Sequence, residues 1–160
     1  MVGEVMTGMI EFFGKDARRT HHFLKVYGFA RAIALAEGVE VNALRVIELA
    51  ALTHDIGIKP SEEKYGSGAG HYQQIEGPAL ARKLLREAGC YEKDVDRVCW
   101  LIAHHHTYSD IQGIDYQILV EADFLVNIYE DGIGPQEVAS VREKIFKTAT
   151  GRKYLDAIYA

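Results

Sequence analysis

The sequence predicts an all-α fold, a bundle of about six to eight helices. Three observations carry the class. Apolar residues recur at three- and four-residue spacing along nearly all of the 160 residues, and no alternating pattern persists long enough for a strand. Helix start and stop residues punctuate that pattern at regular intervals. The composition, 48% hydrophobic and 26% charged, is that of an ordinary globular protein able to close one core without disulfides.

The elements follow in order. A short helix spans Glu4 to Phe13. Asp16 caps a long one, "ARRTHHFLKVYGFARAIALAEG", which stops at Gly38. Asn42 is the expected cap of the next, "ALRVIELAALTHD", which runs to Gly57. "GIKPSEEKYGSGAG" reads as the one long irregular segment, and its glycines suggest a mobile lid. Helix resumes near His71 or at Pro78 and ends at Gly89. "EKDVDRVCWLIAHHH" follows, then a loop to Gly113, then "DYQILVEADFLVNIYE". Pro135 opens "QEVASVREKIFK", and "GRKYLDAIY" is the last helix. No internal repeat or low-complexity tract interrupts residues 1–160, which read as a single domain.

Charge and cysteine usage narrow the function classes. A net charge of −5 provides no global basic field, which argues against a nucleic-acid duplex or a membrane as partner. A small anionic substrate remains open, because a bound cation reverses the local sign. Cys90 and Cys99 are too few and too unpatterned for a disulfide framework, which suits a reducing cytoplasm. The first residues, "MVGEVMTGMIEFFGK", lack the basic-then-apolar order of a signal peptide, and no segment is long enough to span a bilayer. The expected location is cytoplasmic.

Polar residues on the core-facing helical stripes carry the chemistry. His22 lies on the face of Val26, Ala30 and Ile33, whereas His21 is turned about 100° away. Ile47, Ala50 and Ala51 lead directly to His54, with Asp55 beside it at the helix end. Asp123 lies among Leu119, Ala122 and Val126. One such histidine is more often a core residue bonded to a backbone carbonyl, and one such aspartate a partnered carboxylate. Their coincidence is harder to obtain from stability alone, since each buried polar group would need its own partner. A shared metal satisfies all four. Two imidazoles and two carboxylates suit iron, manganese, nickel, cobalt or zinc, with magnesium a further candidate.

"HHFLKVYGFA", "ALTHDIGIKP" and "EADFL" resemble the ligand segments of the HD-domain metal-dependent phosphohydrolases, whose order is His, His-Asp, Asp. The resemblance covers roughly Arg18 to Asn127. It implies metal ligation by His22, His54, Asp55 and Asp123. Many members read "HDIGK", whereas here Ile58 intervenes before Lys59, the basic residue ranked first as a phosphate contact ahead of Arg18, Arg19 and Lys64. His71, opening "HYQQIEGPALARKLL", and His105, the inward residue of "LIAHHHTYSD", resemble the additional histidines of members that hold two metals. His21, His104 and His106 read as more peripheral.

The resemblance therefore implies a phosphohydrolase with one or two divalent ions and a metal-activated water. Asp55 would orient that water and Lys59 would assist catalysis. The implied substrate is a nucleotide or a related small phosphorylated metabolite, with Tyr72 and Tyr108 as candidates to stack on a base. A homodimer is compatible with the sequence. Two other classes share the ligand set: HD-fold di-iron oxygenases, and non-catalytic domains that bind a metal or nucleotide for regulation.

Overall fold

The computed structural model describes all residues, Met1–Ala160. It contains nine helices and no strand: α1 (Val2–Phe13), α2 (Ala17–Glu37), α3 (Val41–Thr53), α4 (Ile58–Tyr65), α5 (Gly70–Glu87), α6 (Glu92–His104), α7 (Ile114–Glu130), α8 (Pro135–Lys144) and α9 (Ala149–Tyr159). The all-α class agrees with the helical periodicity. The ninth helix is α4, which occupies the start of the segment expected to be irregular.

Helix α3 is the axis of the bundle, packed by α1, α2, α6 and α7. Its second half, Leu49 to Thr53, is buried on every side, and His54 after it is fully buried as well. A helix apolar all round belongs in the centre of a bundle rather than on its surface. Helix α2 lies along both α3 and α7, while α5 and α6 pair with one another on the far side. The buried apolar side chains of these helices form one contiguous cluster.

Local chemistry explains most boundaries. Asp16 caps α2 by accepting from the Arg19 amide, and Gly38 ends it in the left-handed conformation at φ 71°. Glu40, not Asn42, caps α3, accepting from the Ala43 amide at 2.7 Å. The helix begins one residue before Asn42, which places the cap earlier than expected. Thr148 caps α9 through the Gly151 amide.

The segment after the His-Asp doublet corrects the expectation of a long lid. Helix α4 is too short and too rich in Lys and Glu for its periodicity to show. It is held by the Ser61 hydroxyl, which donates to the Gly57 carbonyl at 2.6 Å, and it stops at Gly66 with φ 69°. Only Gly66 to Ala69 then separate it from α5. That connector is tied down by the Gln73 amide, which donates to the Gly68 carbonyl at 2.7 Å. Pro78 lies inside α5 rather than at its start.

Gly57 has a different reason from a helix stop. Its φ is −77°, which any residue tolerates. A Cβ there would lie 2.6 Å from the Gln73 carbonyl oxygen and 2.8 Å from the Gly77 nitrogen. The turn after the doublet therefore touches the backbone of α5 directly. Two glycines facing each other set how closely α5 approaches His54 and Asp55.

Candidate metal centre

His22 comes from the second turn of α2, His54 and Asp55 from the end of α3, and Asp123 from the middle of α7. The packing of α2, α3 and α7 against one another brings all four together. His22 Nε2 is 3.3 Å from His54 Nε2, 3.2 Å from Asp55 Oδ2 and 3.3 Å from Asp123 Oδ1. His54 Nε2 is 3.4 Å from each of the same two carboxylate oxygens. His22, His54 and Asp123 are buried, and Asp55 keeps 17% of its side chain exposed at the floor of an open cleft.

Hydrogen bonds on the outer side of each ring decide what the inner side offers. The Nδ1–H of His54 donates to the Ala51 carbonyl at 2.7 Å, and that of His105 to the Ile102 carbonyl at 2.8 Å. A carbonyl only accepts, so each Nδ1 carries a proton, which leaves Nε2 as the atom with which the neutral ring would ligate. His22 repeats the arrangement with a carboxylate, its Nδ1 lying 2.7 Å from Glu130 Oε1. Ligand atoms of three imidazoles and two carboxylates thus converge. Asp123 Oδ1 and His105 Nε2 are buried without a hydrogen-bond partner.

This donor set fits a divalent cation. Buried donors that face one another repel unless a proton or a metal lies between them. The titration behaviour states the same demand. Burial opposes charge on His22, but the facing Asp123 and Asp55 carboxylates outweigh it and push its pKa up to about 11. Burial likewise opposes ionisation of Asp55 and Asp123, yet the neighbouring imidazoles hold both carboxyls well below the ordinary range. The pocket is built for positive charge.

A second group adjoins the first. Asp55, His105 and His106 have donor atoms within 4.8 Å of one another, as do His22, His54 and Asp123. Asp55 belongs to both neighbourhoods, because its Oδ2 faces His22 and His54 while its Oδ1 lies 3.6 Å from His105 Nε2. Burial lowers the pKa of His106 to about 4, so its ring is neutral and able to ligate.

The remaining sequence candidates lie elsewhere. His71 is exposed in the first turn of α5, its ring centroid 4.0 Å from that of Tyr72, and it joins neither group. His106, read as peripheral, takes the place expected of it. Helix α6 ends at His104, so the phase that assigns an inward face no longer applies two residues later. His104 bonds the Trp100 carbonyl and stacks on that indole, and His21 is exposed. Lys59 points towards α1, with Nζ 3.5 Å from the Phe12 carbonyl and 5.6 Å from the Phe12 ring centroid. The inserted Ile58 takes the cleft-facing position and turns Lys59 about 100° away.

The cleft above the donors has a volume of about 280 Å³. Arg18 and Arg19 lie on its α2 side, and Asn127, Glu130 and Asp131 on its α7 side. Glu130 is not among the candidates that the sequence offers. It stands seven residues after Asp123, two helical turns on the same face, and that spacing is the signal that marks it.

A helical bundle that gathers His, His-Asp and Asp from three helices defines a metal-binding class of protein. The chain matches the HD domain model over residues 19–149, and it belongs to that family. No curated protein matches it. The crystal structure of a predicted HD superfamily hydrolase from an uncultured Thermotogales bacterium is similar at TM-score 0.68 and 28% identity. The alignment covers 96% of this chain and 82% of that one. No helix is long and apolar enough to cross a membrane.

Proposed function

We propose that the chain is a metal-dependent phosphohydrolase that cleaves the phosphate ester of a small metabolite, of the size of a nucleotide or a sugar phosphate. One observation carries the reading: imidazole Nε2 atoms and carboxylate oxygens converge, some without partners, under a cleft lined by two arginines. His22, His54, Asp55 and Asp123 would hold one divalent ion, and Asp55, His105 and His106 would hold a second. A divalent ion in such a donor set lowers the pKa of a bound water and polarises a phosphoryl oxygen.

The chain's own residues supply the rest. Asp55, held ionised, accepts a hydrogen bond from the attacking water and aims its oxygen at phosphorus. A new P–O bond forms as the ester P–O bond breaks, and the proton the water gives up passes by way of Asp55 to the departing alcohol oxygen. Arg18, exposed and unpaired at the cleft, is placed to bind the phosphoryl oxygens. Arg19 is partly committed to Asp16 at 3.1 Å and also contacts Glu62. The membership of the family and the hydrolase assignment of the Thermotogales relative support this reading.

The same donors suit a di-iron oxygenase, and oxygen dependence separates the two. The test pairs elemental analysis of gently purified protein with a phosphate-release screen run with and without oxygen. Phosphate release at equal rates in both atmospheres is the expected result. Oxygen uptake coupled to substrate loss would assign the oxygenase, and stoichiometric metal with no turnover would assign a regulatory binding domain.

A further inference from the structure

Resting on the phosphohydrolase reading, we infer that the substrate is a phosphorylated sugar or polyol recognised through its hydroxyl groups, with no nucleobase recognition. The chemistry of the cleft walls carries this. Of the nine residues lining the cleft, Ile58 is the one hydrophobic side chain, and none is Phe, Tyr or Trp. Base recognition relies on a stacking surface or an apolar slot. Neither is present here.

The tyrosines nearest the site are already paired. Tyr72 stacks on Tyr65 with centroids 4.2 Å apart and planes 10° from parallel. Tyr108 packs on Phe124 at 5.1 Å, away from the cleft lining. The stack occupies one face of Tyr72, Tyr108 is tilted by 55° against Phe124, and neither ring lines the cleft.

The uncommitted polar groups point to a different ligand. Glu130 is bound to His22 and Lys25, each at 2.7 Å, and Asp16 to Arg19. Arg18, Asn127 and Asp131 make no side-chain hydrogen bond or ion pair within the chain. The cation stands on one wall, and the amide and carboxylate stand on the other. A molecule with an anionic phosphate at one end and several hydroxyl donors and acceptors at the other matches both walls. The carboxylate accepts and the amide both donates and accepts, so the two together can bond the hydroxyls of a diol.

Comparing substrates that differ by one part tests the inference. Metal-loaded protein is assayed for phosphate release from ribose 5-phosphate, 2-deoxyribose 5-phosphate, adenosine 5′-monophosphate and p-nitrophenyl phosphate. The expected kcat/KM for ribose 5-phosphate equals or exceeds that for adenosine 5′-monophosphate, so the base adds nothing. Asn127→Ala and Asp131→Ala should each raise KM for ribose 5-phosphate by about tenfold, the loss of one ligand hydrogen bond, and raise it less for p-nitrophenyl phosphate. A clear preference for the nucleotide would overturn the inference while the phosphohydrolase reading stands. No phosphate release from any of the four esters would count against both.

Discussion

Glu130 Oε1 lies 2.7 Å from His22 Nδ1, on the side of the imidazole opposite the proposed metal. Its other oxygen is 2.7 Å from Lys25 Nζ, so the carboxylate is fixed from both ends. A carboxylate in this position sets the ring's tautomer and raises the basicity of Nε2, and losing such a partner typically weakens metal binding by about 10–100-fold. Glu130→Ala should weaken the metal affinity to that extent. Glu130→Gln keeps an acceptor for Nδ1–H but loses the charge, so its effect should be smaller. Competition titration against a chromophoric chelator measures both. Equal affinity in wild type and Glu130→Ala would leave the carboxylate as a partner of Lys25 alone.

Asp55 reaches both donor groups, so its loss should be felt twice. Asp55→Ala is expected to abolish turnover and strip most of the bound metal, while His21→Ala, altering an exposed ring, changes neither. His105→Ala and His106→Ala should each lower metal content by about one ion without unfolding the protein. His71→Ala should leave metal content unchanged, because that ring faces solvent. Elemental analysis of the set decides. Loss of an ion in His71→Ala with none in His106→Ala would restore the assignment suggested by sequence.

Residues within long regular helices are legible in the sequence, and those at helix ends are not. Helical phase separates His22 from His21 and places Asp123 on the apolar face, because both lie within long regular helices where 100° per residue holds. His105 and His106 lie beyond the end of α6, where a turn rather than a helix sets direction. Lys59 fails for a related reason: one additional residue, Ile58, rotates it to the far side of a short helix. The four-residue connector Gly66 to Ala69 looked longer because α4 buries only Ser61 and so shows no apolar period. Glu130 was readable from its spacing to Asp123, but a carboxylate in the last turn of a helix reads as solvated.

Two glycine substitutions should have opposite signs. A Cβ at Gly57 would sit 2.6 Å from the Gln73 carbonyl oxygen, a backbone atom that no side-chain rotation can move. Gly57→Ala must therefore push α5 away from the doublet, at a cost of about 2–3 kcal/mol typical of overpacking. It should weaken metal binding too, since His106 packs against Gly70 in the first turn of α5. Gly28, in the middle of α2, has open space around its missing Cβ. Gly28→Ala should stabilise by about 0.5–1 kcal/mol through helix propensity alone. Urea denaturation of both variants measures the difference, and a Gly57→Ala protein as stable as wild type would refute the close approach of turn and helix.

Metal removal should destabilise the fold, for a reason specific to the arrangement of donors. His54 and His105 present Nε2 inward because backbone carbonyls hold their Nδ1 protons, and Asp55 and Asp123 add ionised oxygens to the same space. The apo protein can relieve that convergence only by taking up a proton, as the raised pKa of His22 indicates. The unfolded chain places these residues apart and holds the ion far less tightly. An ion at a hundred times its dissociation constant therefore stabilises the folded state by about 2.7 kcal/mol. For a domain of this size that corresponds to roughly 5–10 °C in Tm. Calorimetry with and without a chelator should show a fall of that order, restored by adding back the divalent ion. In Asp123→Asn the carboxylate charge is gone but the shape is kept, so the chelator should shift Tm much less. A chelator effect of equal size in Asp123→Asn and wild type would place the stabilising ion away from these residues.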